Sequence, residues 1–199
     1  MDYRVTAVLV AAGSSTRMGF DKLSFDLGGE TVLERSVRAF DECPEVDELV
    51  LVTGASGENA ERAAARCKKP VQLVRGGATR AESARNGVAA AHGALVAVHD
   101  AARPFVSGEV IAAVLKAAAR CGAAAPAVPV KDTIKTVAED GAVTGTPDRS
   151  TLRAVQTPQV FEADLLKAAL QSALENEVPV TDDCSAVERL GMKVKIVEG

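Results

Sequence analysis

Residues 11–22 combine small side chains with two cations, a composition suited to binding phosphate groups. The small residues are Ala11, Ala12, Gly13 and Ser14. They let the main chain approach an anion closely, so that its N–H groups can bind phosphate oxygens. Arg17 offers a planar pair of donors and Lys22 a point charge. The segment has neither the Walker nor the G-x-G-x-x-G spacing, and an ordinary strand-to-helix turn remains the alternative.

A glycine pair, Gly76-Gly77, closes a short apolar run and precedes a segment with helical spacing. The start of a helix presents unpaired N–H groups and a partial positive charge. Backbone groups at Gly77 could read the edge of a base, and Ser83 lies one turn into the helix, facing back to the loop. From these residues alone, a plain helix start is almost as good an interpretation.

Asp100 and Arg103 follow a third apolar run, in the segment His99-Asp100-Ala101-Ala102-Arg103-Pro104. A carboxylate at the end of a buried strand is costly unless it is paired or binds a cation. Asp100 is therefore a candidate ligand for Mg²⁺, which prefers carboxylates, phosphate oxygens and water. An ion pair with Arg103 is the alternative, and His99 is interpreted as a structural hydrogen-bonding residue.

Two later segments carry polar residues. Thr181 precedes Asp182 and Asp183, which predicts a helix with Thr181 as its N-cap, although the acids could also bind metal or a polyol. Residues 131–155 are polar and β-prone, with turn residues at Asp140-Gly141. They predict a hairpin-like arm that projects from the sheet, with a mobile surface loop as the alternative.

These segments lie between short apolar runs that alternate with helical patterns of about ten residues. The predicted strands are 6–10, 48–53, 71–74, 94–98, 123–128 and 193–197. The predicted helices are 31–40, 58–67, 79–91, 107–121, 162–174 and 182–190, with Ser107 capping the fourth and Gly122 ending it. This order predicts an α/β fold with three layers and a mainly parallel sheet, in which ligands bind at the carboxyl ends of strands.

Composition narrows the possible classes of protein. The 199 residues fit one domain, and 47% are hydrophobic, enough for a sizeable core. A formal net charge of −4 argues against a broad surface for nucleic acid. The four cysteines are dispersed, which favours reduced thiols in the cytoplasm over zinc binding or disulfides. We expect neither a secretory signal nor a membrane span.

Taken together, these motifs resemble the 2-C-methyl-D-erythritol 4-phosphate cytidylyltransferases of the non-mevalonate isoprenoid pathway. The resemblance runs from Val5 to Gly199 in the family's order. It rests on Ala11-Ala12-Gly13 through Arg17-Met18-Gly19, Lys22, Gly76-Gly77 with Arg80 and Ser83, the run from His99 to Pro104, Asp132-Thr133, Asp148-Arg149, Gln156-Thr157-Pro158-Gln159, and Thr181-Asp182-Asp183 with Ser185-Ala186. The first loop is shared by many nucleotidyltransferases, whereas the later motifs together are specific.

The resemblance implies a Rossmann-like nucleotidyltransferase sheet, a single domain over residues 1–199 and an arm at about 131–155. It also implies CTP and a polyol phosphate as substrates, Mg²⁺ at Asp100, and a homodimer in which the arm reaches the partner subunit. The implied catalytic residues are Arg17 and Lys22. The implied nucleotide-binding residues are Ala11, Ala12, Gly13, Ser14, Gly77 and Ser83. The implied substrate-binding residues are Ala101, Arg103, Thr133, Arg149, Thr157 and Thr181.

Family members normally continue past Gly199 through a segment with further substrate or metal contacts, and the resemblance implies that this sequence lacks that tail. Three alternatives stay open. One is a cytidylyltransferase for another polyol phosphate, such as ribitol 5-phosphate. Another is a nucleotide-binding protein that is inactive without its tail. An NAD-binding domain is disfavoured, because G-x-G-x-x-G is absent.

Overall fold

The computed structural model describes residues 3–13, 21–54 and 57–199. The strands are β1 Val5–Ala11, β2 Glu48–Thr53, β3 Val71–Arg75, β4 Leu95–Asp100, β5 Ala123–Pro129, β6 Thr136–Val137, β7 Val143–Gly145, β8 Arg153–Val155, β9 Gln159–Glu162 and β10 Lys195–Glu198. The helices are α1 Val32–Asp41, α2 Glu58–Ala64, α3 Arg80–Ala89, α4 Gly108–Cys121, α5 Ala163–Glu175 and α6 Asp183–Arg189. Two short 3-10 turns, Lys22–Ser24 and Arg149–Thr151, complete the described elements.

The central sheet has the order β10-β5-β9-β4-β1-β2-β3, with β8 paired to β5. The pairs β1–β2, β1–β4, β2–β3 and β5–β10 are parallel. Strands β8 and β9 run antiparallel to their neighbours. The predicted α/β fold with a mainly parallel sheet is therefore confirmed.

Helices cover both faces of this sheet, as continuous apolar strands require. Side chains alternate along β1, so that Val5, Ala7 and Leu9 pack into one core with α1, α2 and α4. Val8 packs into a second core with α3, α5 and α6. The sheet is thus the middle layer of three, and both cores help to hold its strand ends in place.

Helix starts follow the expected capping chemistry at most positions. The side chains of Thr31, Thr79 and Ser107 each accept a backbone N–H bond at the start of α1, α3 and α4. Gly122 ends α4 in the left-handed conformation, as predicted. The N-cap predicted at Thr181 is wrong: Asp182 caps α6, because its carboxylate accepts the N–H of Ser185.

Two strands were missing from the sequence prediction. Strand β9 inserts between β4 and β5, and β8 brings residues 153–155 back to β5. The predicted arm is confirmed as a hairpin of β6 and β7, but its last residues belong to the central sheet. In the described ranges, no helix is long and apolar enough to cross a membrane.

Candidate active site

A cleft of about 1210 Å³ lies where four parallel strands end. Strands β1, β2, β3 and β4 deliver their carboxyl ends to this edge, so the loops that follow them line the opening. Ligand pockets commonly measure roughly 300 to 1,000 Å³, so this cleft has room for a nucleotide and a second small substrate. Its described lining includes Ala12, Gly13, Lys22, Gly54, Arg75, Gly76, Gly77, Ala78, Thr79, Arg80, Ser83, Asp100, Ala102 and Arg103.

The described ends of the first loop border this cleft. Ala12, Gly13 and Lys22 line it, and Ala11 lines a smaller adjoining pocket. Ser14 and Arg17 lie outside the described residues. The turn that carries Lys22 is fixed locally, because Asp21 accepts the N–H of Leu23 at 3.0 Å and Asn59 donates to Asp21 at 3.2 Å.

Ser83 faces back to the loop between β3 and α3, as the sequence predicted, and its hydroxyl makes two bonds there. Its hydroxyl accepts the Gly77 N–H at 3.1 Å and donates to the Thr79 carbonyl at 2.8 Å. A side chain at Gly76 would overlap Ala12, because these two loops touch. The glycine pair thus lets the β3–α3 loop lie against the start of the phosphate loop.

Asp100 lies at the end of β4 between two arginines. Arg80 Nη2 lies 3.0 Å from Asp100 Oδ1, and Arg103 Nε lies 3.4 Å from Asp100 Oδ2. The predicted alternative, an ion pair with Arg103, is therefore present, but Arg80 makes the shorter contact. The Asp100 side chain remains 32% exposed, which leaves the carboxylate accessible from the cleft.

Arg80 also binds Asp183, which begins α6. The two side chains form a bidentate pair, with N···O distances of 3.2 and 2.9 Å. The Asp183 side chain is only 1% exposed. Burial raises the pKa of this carboxyl and Arg80 opposes the rise. Burial also opposes the charge of Arg80, but the two aspartates outweigh it and raise the pKa of the guanidinium.

The segment before α6 is tied to β9. Gln159 donates to the Asp182 carboxylate at 2.7 Å and accepts the Cys184 N–H at 3.0 Å. Thr181 itself is exposed, and its N–H bonds to Ser185 Oγ at 3.1 Å. Arg80 therefore joins two carboxylates that the central sheet positions: Asp100 lies at the end of β4, and the neighbours of Asp183 are bonded to β9.

Behind the cleft, His99 and Thr157 form a buried pair. The Thr157 hydroxyl lies 2.9 Å from His99 Nδ1 and 3.3 Å from the Asp100 N–H, and His99 Nε2 lies 3.1 Å from the Arg103 carbonyl. This pattern fits an imidazole that donates through Nε2 and accepts at Nδ1. Burial lowers the pKa of His99 to about 4, so the ring is neutral near pH 7 and has a structural role, in agreement with the sequence interpretation.

Some residues predicted to bind substrate lie elsewhere in this chain. Ala101 is fully buried in the core and its neighbour Ala102 lines the cleft. Thr157 is 7% exposed, and its hydroxyl is engaged by His99 and Asp100. Thr133 and Arg149 are exposed on the arm and are absent from the described lining of the cleft, where only Arg103 of this predicted group is found.

The sequence did not predict the pairing of Arg80 with Asp183. Both residues belong to motifs of the resemblance, but 103 positions separate them, and no periodicity connects two helix starts so far apart in the chain. The signal that could have found them is chemical: a buried carboxylate needs a cation, and Arg80 lies at the same edge of the sheet.

Comparisons with known proteins agree with this geometry. The model of a family described as 2-C-methyl-D-erythritol 4-phosphate cytidylyltransferase matches residues 5–199. A relative of that name from Symbiobacterium thermophilum is 47% identical over 98% of this chain and 84% of its own length. A bifunctional IspD/IspF enzyme from an Anaeromyxobacter species is 46% identical, and this chain spans 53% of it.

Solved structures give the same picture of the fold. The 4-diphosphocytidyl-2C-methyl-D-erythritol synthase from Anaerococcus prevotii matches with a TM-score of 0.90 and 32% identity, over 98% of this chain and 89% of the other. The 2-C-methyl-D-erythritol 4-phosphate cytidylyltransferase from Thermus thermophilus matches with a TM-score of 0.80 and 35% identity, over 96% and 87%.

Proposed function

The chain belongs to the 2-C-methyl-D-erythritol 4-phosphate cytidylyltransferase family, and we propose that its strand-end cleft carries out the reaction of that family. The cytidylyl group of CTP is transferred to 2-C-methyl-D-erythritol 4-phosphate, giving 4-diphosphocytidyl-2-C-methyl-D-erythritol and pyrophosphate in isoprenoid precursor synthesis. The relatives from Symbiobacterium thermophilum and Thermus thermophilus are named for this acceptor, which favours it over ribitol 5-phosphate.

One observation carries this proposal. A single cleft combines a loop of small residues, the Lys22 cation, the Gly77–Ser83 loop and the Asp100 carboxylate. These are the groups that a triphosphate, a base and a cation need, and all of them lie at the carboxyl ends of parallel strands or in the segments that follow those ends. We assign the triphosphate to Ala11, Ala12, Gly13, Ser14, Arg17 and Lys22, and the cytosine to Gly77 and Ser83.

The chemistry is an in-line displacement at the α-phosphorus of CTP. A phosphate oxygen of the acceptor attacks, and pyrophosphate leaves. Because a phosphomonoester is already anionic, no strong base is required, which agrees with the neutral, buried His99. Catalysis is then positioning and neutralisation of charge by Arg17 and Lys22. Ala101, Arg103, Thr133, Arg149, Thr157 and Thr181 remain the proposed acceptor-binding residues.

Mg²⁺ is the proposed cofactor, and the residues present fit it. Within 3–13, 21–54 and 57–199, no three His, Cys, Asp or Glu side chains converge on a common metal site. A cation here would be held by Asp100 and by phosphate oxygens, which is the usual arrangement for Mg²⁺ in phosphate chemistry. When bound, the ion supplies charge neutralisation on the phosphates.

We also propose a single catalytic domain that forms a homodimer through the arm and resides in the cytoplasm. The arm exposes apolar side chains, with Val137 60% and Val143 61% exposed. Such residues are poor choices for a solvated hairpin, and they support contact with a second copy. The four free cysteines are compatible with a reducing compartment.

The activity is tested by product analysis. The chain is incubated with CTP, Mg²⁺ and either methylerythritol phosphate or ribitol 5-phosphate, and both pyrophosphate and the cytidylyl product are measured. We expect turnover with methylerythritol phosphate. Turnover only with ribitol 5-phosphate would assign the other acceptor, and CTP binding without any product would support a nucleotide-binding protein.

Two variants test the roles of the residues. Lys22→Ala should lower kcat by roughly 10²- to 10³-fold, since removing one such charge has this effect, and an unchanged kcat would remove Lys22 from the chemistry. Mixing Arg149→Ala subunits with Lys22→Ala subunits should restore activity if the arm serves the partner's site. Confirmed mixed dimers without restored activity would contradict a shared site.

A further inference from the structure

Arg80 uses all three of its side-chain nitrogens on two carboxylates. Nη1 and Nη2 donate to Asp183 at 3.2 and 2.9 Å, and Nε donates to Asp100 Oδ1 at 3.1 Å. The bidentate pair fixes the plane of the guanidinium. The Nε edge of the guanidinium therefore points at Oδ1 of Asp100.

Burying the Asp183 carboxylate costs free energy that a purely structural role does not require. It is almost completely buried, and its charge is compensated by Arg80. A buried pair of this kind is often no more stable than apolar residues of the same volume. The residues on either side of Asp183 are nevertheless tied to β9, because Gln159 bonds to the Asp182 carboxylate and to the Cys184 N–H. The result is a rigid anchor for a side chain that reaches into the cleft.

The two arginines differ in how firmly they bind Asp100. Arg80 is 35% exposed and is held by the anchor, whereas Arg103 is 51% exposed and makes one contact of 3.4 Å to the other oxygen. Oδ1 is thus occupied by a fixed partner, whereas the contact to Oδ2 from the described residues is a long one, from the exposed Arg103. A cation could take the place of Arg103 without disturbing Arg80.

We propose that Arg80, clamped by Asp183, is a positioning residue that orients the Asp100 carboxylate toward the cation bound with CTP. This inference rests on the proposed function, because it assumes the cation site at Asp100. Partners behind a metal ligand typically change metal affinity by about 10- to 100-fold. Loss of the clamp should therefore lower the affinity for Mg²⁺ and raise the Mg²⁺ concentration that CTP binding needs, in addition to any effect on the fold.

The first test uses Arg80→Lys, which keeps a charge beside Asp183 but loses the planar fork. CTP binding is measured by calorimetry over a series of Mg²⁺ concentrations, without acceptor and without turnover. We expect a Tm near that of the parent and at least a tenfold rise in the Mg²⁺ midpoint. Arg85→Lys is the matched control, because Arg85 lies on the same helix, bonds to Asn86 and is outside the cleft lining.

A second pair of variants separates positioning from stability. Arg80→Met leaves Asp183 buried without a cation and should lower the Tm by roughly 10 °C. Arg80→Met with Asp183→Leu removes both charges and should regain most of that Tm, while the Mg²⁺ midpoint stays raised. If the double variant regains the parent's Mg²⁺ midpoint together with its Tm, the pair is only structural and the proposal is overturned. A parental Mg²⁺ midpoint in Arg80→Lys would overturn it as well.

Asp100→Asn distinguishes this inference from the proposed function. If it leaves the Mg²⁺ dependence unchanged, the proposed cation site itself is wrong. If it abolishes the dependence while Arg80→Lys behaves like the parent, only the clamp fails. Adding Arg80→Lys to Asp100→Asn should cause no further change in CTP binding at any Mg²⁺ concentration, because Arg80 acts through Asp100.

Discussion

Gly87 brings helix α3 directly against the sheet, and its replacement by alanine tests how the site is held. A Cβ at this position would lie 2.5 Å from Val52 Cγ2 and 2.5 Å from Val8 Cγ1. Both valines are fully buried in their strands. Since nonbonded carbons prefer about 3.5 to 4.0 Å, the helix or the strands must move by about 1 Å.

The size of the effect follows from two opposing contributions. Overpacking a core costs about 1 to 3 kcal/mol, and an alanine in a helix gains about 1 kcal/mol over glycine. We therefore expect Gly87→Ala to lower the free energy of unfolding by about 1 kcal/mol, which corresponds to a Tm lower by roughly 3 °C. Because α3 carries Arg80 and Ser83, the KM for CTP should rise as well.

Urea unfolding and steady-state kinetics measure both effects. The matched control is Gly108→Ala at the start of α4, where an added Cβ meets nothing within 4 Å. We expect that variant to be as stable as the parent or slightly more stable, with an unchanged KM. If Gly87→Ala has the stability and KM of the control, the close packing is refuted. It is also refuted if the effects of Gly87→Ala and Val52→Ala on the free energy of unfolding are simply additive, since residues in contact should not be additive.

Three further changes have defined outcomes. Ser83→Ala removes the acceptor of the Gly77 N–H and should raise the KM for CTP up to about tenfold at an unchanged Tm; an unchanged KM would contradict its role. Thr31→Ala removes the N-cap of α1 and should cost about 1 kcal/mol in urea unfolding, whereas no loss would mean that the cap is redundant. Because burial lowers the pKa of His99 from 6.5 to about 4, the unfolded state binds the proton more readily between these values, and stability falls as the pH is lowered through this window. His99→Gln should remove roughly 2 kcal/mol of the fall between pH 7 and 5, and a variant with the same slope as the parent would contradict the assignment.

The fold was largely predictable because its strands are short apolar runs with clear stops. Strand β2 was predicted at its observed bounds, and Ser107 and Gly122 marked both ends of α4. Strand β9 was missed because its four residues begin and end with a polar side chain, and Gln159 looked like part of a loop motif. Its burial depends on β4 and β5, which no local pattern reveals.

The site was predictable only in its local parts. The contact between Ser83 and Gly77 spans six residues, so the turn of a helix predicts it. The Arg80–Asp183 pair and the bond from Thr157 to His99 join distant segments. They depend on the strand order, in which β9 and the start of α6 meet the end of β4. Spacing along the chain carries no information on such contacts.

The position of β9 also has a consequence for the order in which the chain folds. Strands β4 and β5 are separated in the sheet by β9, which comes later in the sequence. During synthesis from the amino terminus, both strands emerge before the residues that join them. Each therefore keeps an unpaired edge until Gln159–Glu162 arrives, and such edges can pair with another chain. Because β9 pairs late, the end of β4 and the cleft beside it reach their final form only after residues 159–162 have been made.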